Sequence, residues 1–276
     1  MFGKVFDRIE SLKTVATKAD KKIIDGLKRI KAEEIIYMSI TELAGKLGVS
    51  ETAVMRFCRK LDYSGFQDFK LSLSQEIGNG AAINGRKSYA QNIANDMVDS
   101  VIETYKQLDG NEDACKKTAE LIVSSRRVCA FGVGNSAIAP TMIKHRLLRA
   151  DIPVETASDT HVQAIIASNL KAGDAVILVS VSGATKDIIN IAEIAKQNGA
   201  AIVVITNYDK SPLVKYADYS LFVCRKEGAS EGGSLATIVA QAYVIDCFCA
   251  EVFNLLGEKS KEANIKAAKA VSDKSL

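Results

Sequence analysis

The residues best suited to chemistry lie in one stretch, Ala175-Val-Ile-Leu-Val-Ser-Val-Ser-Gly-Ala-Thr185-Lys186. Three hydroxyls, Ser180, Ser182 and Thr185, surround Gly183, and Asp187 opens an amphipathic run behind them. Hydroxyls donate hydrogen bonds to phosphate oxygens, and glycine lets the backbone come close to a ligand. The run from Asp187 reads as a helix, whose first N–H groups lack internal partners. Its dipole favours an anion at that end by roughly 0.3–2 kcal/mol. The chemistry on offer is therefore the binding of a phosphate or a similar small anion. A plain strand-to-helix turn with capping serines has the same residues, so the rest of the chain has to discriminate. A second stretch has matching character: Phe131-Gly-Val-Gly-Asn-Ser136 presents Gly134, Asn135 and Ser136. Two such sites suit a small phosphorylated ligand, one gripping phosphate and the other its hydroxyl-bearing body.

Other chemistries fit less well. Gly132-Val-Gly-Asn-Ser-Ala137 matches a loose G-x-G-x-x-A dinucleotide fingerprint, with Glu155 near the place of its ribose-binding acid. That reading leaves the second serine-rich stretch unexplained. No glycine-rich Lys-Ser/Thr phosphate loop is present. An aldose–ketose isomerase or sugar-phosphate lyase is the rival from another class, and it needs a positioned base. The chain has two histidines, His145 and His161, of which His161 is the better candidate. Glu227 and Glu231 are the carboxylates placed to reach a ligand. The six cysteines form no C-x-x-C pair, and Cys247 and Cys249 point to different faces of a helix, so no metal site is expected.

The elements that position these stretches alternate strand and helix from about 108 to 256. Strands are expected near 127–133, 153–156, 174–180, 200–206 and 219–223, with helices near 112–124, 136–149, 161–169, 187–197 and 235–256. Continuous apolar runs such as Ala175–Val181 imply a doubly wound parallel five-stranded sheet flanked by helices, an α/β fold. In such sheets ligands sit beyond the carboxyl ends of the strands, at the switch point.

Residues 1–77 have helical periodicity instead, implying an all-α domain. Leu43, Ala44 and Leu47 form one apolar face, Gly48 suits a left-handed helix end, Val49 plugs the turn and Ser50 caps the next helix. Val54, Phe57, Cys58 and Leu61 give that helix its buried stripe. This is the spacing of a helix-turn-helix. Subtracting the stripe leaves Ser50, Thr52, Ala53, Arg56, Arg59 and Lys60 outside, with Thr52, Ala53 and Arg56 aimed at a major groove and Ser50, Arg59 and Lys60 at phosphates. A fourth helix should end near Ile77. The glycine-rich segment from Gly78 reads as a linker, and Ile93, Met97, Val101 and Tyr105 mark a connecting helix, so that 78–107 joins the two parts. Residues 257–276 read as a lysine- and alanine-rich helical or disordered tail.

At this point the chain resembles a known family. Phe131-Gly-Val-Gly-Asn-Ser136, Val179-Ser-Val-Ser-Gly-Ala-Thr185 and Val204-Ile-Thr-Asn207 look like a sugar isomerase (SIS) domain. Gly48-Val-Ser-Glu-Thr-Ala-Val-Met-Arg-Phe-Cys-Arg-Lys-Leu61 and Gly65-Phe-Gln-Asp-Phe-Lys70 look like the helix-turn-helix of RpiR-type transcriptional regulators. The resemblance implies a homodimeric or homotetrameric regulator of sugar-metabolism genes, binding double-stranded operator DNA and responding to a phosphosugar effector. It implies no cofactor and no catalysis. Carried over by position, Ser136 contacts sugar hydroxyls or phosphate, and Ser180, Ser182 and Thr185 hold phosphate with the Gly183 N–H nearby.

Composition sets the outer bounds. With 276 residues, 47% of them apolar, the chain has room for two cores. A net charge of +3 does not by itself identify a nucleic-acid partner. The uninterrupted apolar runs are too short to cross a bilayer and the N-terminus lacks the apolar core of a secretion signal, so the expected location is the cytoplasm, away from membranes.

Overall fold

The computed structural model describes residues 4–13, 16–36, 38–81, 89–109, 112–224 and 235–272, and these fall into two compact units divided near residue 91. The first unit is helical. Its helices are α1 (Lys4–Leu12), α2 (Lys18–Leu27), the single turn α3 (Ala32–Ile35), α4 (Ile40–Leu47), α5 (Glu51–Lys60) and α6 (Phe66–Ala81). Local chemistry sets their starts. Thr17 and Asp20 form a reciprocal capping box on α2, and Ser39 and Glu42 form another on α4. Apolar stripes from all six helices meet in one core, with Ile24, Leu43, Val54, Phe57 and Phe69 fully buried. Helix α6 runs past the expected end at Ile77, taking Gly78–Ala81 into its last turn. Glycine in a helix costs only about 1 kcal/mol, which an established helix tolerates at its end.

The second unit is built on five parallel strands: β1 (Arg127–Gly132), β2 (Val154–Glu155), β3 (Asp174–Val179), β4 (Ala201–Thr206) and β5 (Tyr219–Phe222). Their order is β2-β1-β3-β4-β5. The central strands are buried along their length because helices cover both faces. On one face pack α8 (Glu112–Ser124), α9 (Ile138–Leu148) and α12 (Leu235–Leu256); on the other, α10 (Thr160–Ser168) and α11 (Lys186–Gln197). Helix α12 is long and apolar enough to cross a membrane, a feature that counting uninterrupted apolar runs overlooks. Ala240, Val244, Ile245, Phe248, Cys249 and Val252 put it in the core of this unit. Helix α13 (Glu258–Ser272) follows after Gly257.

Helix α7 (Tyr89–Asp109) spans the segment whose apolar spacing marks a helix. Its buried positions are Ser100, Thr104 and Leu108, whereas Ile93, Val98, Ile102 and Tyr105 are exposed. The hydroxyls explain the choice. Ser100 and Thr104 each donate to the carbonyl four residues back, at 2.7 Å, and Thr104 Oγ1 also accepts from the Cys224 N–H at 3.0 Å. With their polar atoms satisfied, these residues bury at little cost.

Candidate functional site

Two surfaces carry the residues singled out from sequence, one in each unit. In the helical unit α4 and α5 form the helix-turn-helix. Gly48 takes the left-handed conformation (φ 60°) at the end of α4, and the Ser50 hydroxyl accepts from the Ala53 N–H at 3.2 Å to start α5. Thr41 donates to Glu51 at 2.7 Å, fastening the beginning of α4 to that of α5. A methyl on Gly26 of α2 would sit 2.1 Å from Leu47, so α2 lies hard against the end of α4.

On the outer face of α5, Thr52, Arg56 and Arg59 are exposed, as a groove-facing set requires. Two expected DNA contacts, Ala53 and Lys60, are placed otherwise. Ala53 is buried in the helical core, because the packed face of α5 is wider than the i, i+3, i+4 stripe and includes it. The Ser50 hydroxyl accepts the capping bond, as expected, and keeps its own hydrogen to donate. Lys60 turns back to α2, its ammonium 2.6 Å from the buried Asp20 carboxylate. Burial acts to raise the Asp20 carboxyl, but hydrogen bonds from Lys60 and Thr17 outweigh it and hold the group below the usual carboxylate range.

In the sheet unit the site lies at the switch point. β1 and β3 are neighbours in register, Gly132 opposite Val179, so the segments that follow them leave adjacent strands at the same level. One continues into α9 on one face of the sheet and the other into α11 on the opposite face, which opens a crevice between them. After β1, Gly134–Ala137 form a 3-10 turn, with Gly134 and Asn135 exposed and Ser136 buried. Gly132 is required there, since a methyl would meet the Ser136 carbonyl oxygen at 2.4 Å.

After β3 the loop bonds to itself. Ser180 Oγ lies 3.0 Å from Thr185 Oγ1 and accepts from the Gly183 N–H at 3.1 Å, while Ser182 Oγ accepts from the Ala184 N–H at 3.2 Å. The Gly183 N–H, expected to face a ligand, is thus turned inward to Ser180. Gly183 has φ 58° and backs onto Thr206 and Ser211. Its carbonyl accepts from the Leu213 N–H at 3.0 Å, and Thr206 Oγ1 donates to the Val181 carbonyl at 3.2 Å. Thr185 stands at the N-cap of α11 and makes no side-chain cap bond, because its hydroxyl is directed to Ser180. The first amides of α11 are left to a ligand or solvent. This helix starts at Lys186, one residue ahead of its expected start at Asp187.

Gln163 was missed from sequence. It is fully buried on α10, and its Nε2 donates to the Gly132 carbonyl at 3.1 Å and to the Ala157 carbonyl at 2.8 Å. Its Oε1 is buried without a partner. Two net hydrogen bonds of roughly 0.5–1.5 kcal/mol each are about cancelled by an unsatisfied acceptor costing about 1–3 kcal/mol. A glutamine at a helix position spaced with the buried Ala167 was the available signal.

The remaining candidates are quickly placed. His161, in the first turn of α10, and His145, in the last turn of α9, are both exposed. The Glu155 carboxylate is engaged by Arg127, in an ion pair across β1 and β2. Glu227 and Glu231 lie outside the described residues. Among the described residues no three His, Cys, Asp or Glu side chains converge as metal ligands do.

A helix-turn-helix unit joined to a doubly wound domain with a hydroxyl-lined switch point defines a class, the DNA-binding regulators that carry a ligand-binding domain of their own. Comparison with known proteins narrows it. The helix-turn-helix domain of the rpiR family matches residues 3–80, and the SIS domain matches residues 121–250. An uncharacterized HTH-type transcriptional regulator of Clostridium perfringens is 33% identical over 97% of this chain and 98% of its own length. The regulator HexR of Escherichia coli is 27% identical over 98% of this chain and 93% of its own. Among solved structures, Vibrio vulnificus NanR complexed with ManNAc-6P superposes with a TM-score of 0.86 at 26% identity, covering 98% of this chain and 99% of that one. The chain belongs to the RpiR family of helix-turn-helix transcriptional regulators.

Proposed function

We propose that this regulator senses a phosphosugar in the crevice between β1 and β3, and that it acts as a sensor, not as an isomerase. The observation that carries the proposal is the α11 N-terminus without a side-chain cap, set beside three hydroxyls and one strand away from Ser136. Ser180, Ser182, Thr185 and the first α11 amides hold the phosphate; Gly134, Asn135 and Ser136 meet the sugar body. The ManNAc-6P bound by Vibrio vulnificus NanR supports this ligand class. The exposure of both histidines, neither of them held in an enclosed site, favours sensing over proton transfer.

In this reading Thr52, Arg56 and Arg59 contact operator DNA, and the protein works in the cytoplasm. The exposed face of α7, with Val98, Ile102 and Tyr105 one helical turn apart, seats a second copy of the chain. Ligand in the crevice shifts the two DNA-reading heads of the oligomer relative to each other, with a coupling of about 1–3 kcal/mol.

The test is a thermal-shift screen of sugar phosphates and amino-sugar phosphates against their unphosphorylated parents, with dinucleotides as controls. A ligand at about a hundred times its Kd adds about 2.7 kcal/mol, a readable change in Tm. A shift with a phosphosugar but not its parent, no turnover on incubation, and altered operator affinity in a gel shift are the expected results. A shift with dinucleotides alone, or turnover of the hit, overturns the reading. Ile102→Glu should dissociate the oligomer in light scattering.

A further inference from the structure

The near-cancellation of gains and costs at Gln163 points away from a role in stability. Leucine in the same buried place would remove the stranded Oε1 but would leave the Gly132 and Ala157 carbonyls without this donor. What glutamine supplies and leucine does not is one nitrogen with two hydrogens, aimed at two carbonyls from different segments. Gly132 ends β1 and leads into the turn that carries Gly134, Asn135 and Ser136. Ala157 lies between β2 and α10, two residues before Asp159, which caps α10 by accepting from the Val162 N–H at 3.0 Å. The two carbonyls also fix the orientation of the amide. Flipped, it would set Oε1 against both and leave the two hydrogens without acceptors.

We propose that Gln163 is a positioning residue of the ligand site, fastening the Ser136 turn to the segment that leads into α10 so that the turn keeps its place beside the crevice. This rests on the crevice being the phosphosugar site. The Gln163 hydrogen bonds go to the Gly132 and Ala157 carbonyls and not to the 180–185 loop, so its loss should act first on the sugar half of the site. The stranded Oε1 is the cost of placing the donor there.

The experiment compares Gln163→Leu with the wild-type full-length protein. Amide hydrogen exchange in the free protein reads the fastening directly. Exchange in residues 133–137 and 157–161 should quicken about tenfold or more in the variant, while residues 180–189 keep their rates. Kd for the phosphosugar should rise about tenfold or more, whereas inorganic phosphate, which needs only the 180–185 loop, should compete against the bound sugar as well as or better than before. The Tm of the free variant should fall only modestly, because the two carbonyls lose their donor while the stranded Oε1 is removed. Should Gln163→Leu fail to fold, Gln163→Met, unbranched and of similar length, replaces it. Unchanged exchange in both segments overturns the proposal, as does a phosphosugar Kd within about twofold of wild type. If the wild type binds no phosphosugar, the functional reading fails, and the exchange rates alone then decide the role of Gln163.

Discussion

Gly183 and Ser211 are in such close contact that a methyl on the glycine would stand 2.1 Å from the Ser211 hydroxyl oxygen and 2.4 Å from its Cβ. Both of those atoms are near the backbone, so no rotation of a long side chain relieves the overlap. The left-handed φ of 58° adds its own penalty for any residue with a Cβ. Gly183→Ala should therefore destabilise the sheet unit by about 2–4 kcal/mol and remove phosphosugar binding. Thermal melts with and without ligand check both effects. An alanine variant that melts and binds like the wild type would show that the 180–185 loop has another path open to it.

The hydroxyls proposed to hold phosphate can be removed without that overlap. Ser182 is exposed and Thr185 half-buried. The pair Ser182→Ala with Thr185→Val should raise the phosphosugar Kd by about a hundredfold or more, given hydrogen bonds to a charged group of about 1.5–3 kcal/mol each. Operator binding in the absence of ligand should be unchanged in a gel shift. Full retention of the ligand response would move the phosphate away from this loop.

Arg56 and Lys60 are one turn apart on α5 and are expected to behave differently. Arg56→Ala should weaken operator binding by about 1–3 kcal/mol and leave Tm alone. Lys60→Ala should do the reverse, because its ammonium is committed to Asp20. Its removal leaves a buried carboxylate with only Thr17 as partner, a loss of about 1–2 kcal/mol after allowance for the partly exposed ammonium. Fluorescence anisotropy at several salt concentrations, paired with thermal melts, separates the two. A large operator defect in the Lys60 variant at wild-type stability would return that lysine to the DNA surface.

The same pair predicts a pH dependence. The Asp20 carboxyl is held below its ordinary value of about 3.9 in the folded protein, so folding favours its ionised form. That contribution is fully present above the unfolded value and is lost as pH falls through the depressed folded value. Between pH of about 4 and the acid limit, the helical unit of the wild type should lose stability faster than that of Asp20→Asn. Parallel melting curves across that range are the check. Equal slopes would mean that the ion pair contributes nothing.

Sequence made the centre of the sheet legible because β1, β3 and β4 are largely apolar runs, as strands covered on both faces usually are. β3 and its neighbours are found within a residue or two of where those runs lie, and α8 and α12 match from end to end. The hydroxyl cluster was equally plain, since βα turns place chemistry within a few residues of a strand end. What stayed hidden depends on contacts between residues distant in the chain. Nothing local marks Ser211 as the neighbour of Gly183, or Asp20 as the partner of Lys60. The buried face of α7 was hidden for a related reason. Ser100 and Thr104 count as polar in a periodicity, yet their hydroxyls are spent on their own helix. Ala53 shows the opposite limit, a side chain too small to declare which way it faces.

The self-bonded loop between Ser180 and Thr185 has a bearing on timing. With its backbone path already held by Ser180, Leu213 and Thr206, a ligand exchanges partners with the loop and does not have to wait for it to order. Capture is then as quick as an encounter in the right orientation. On the proposed reading, the response to ligand lasts only as long as one molecule remains bound.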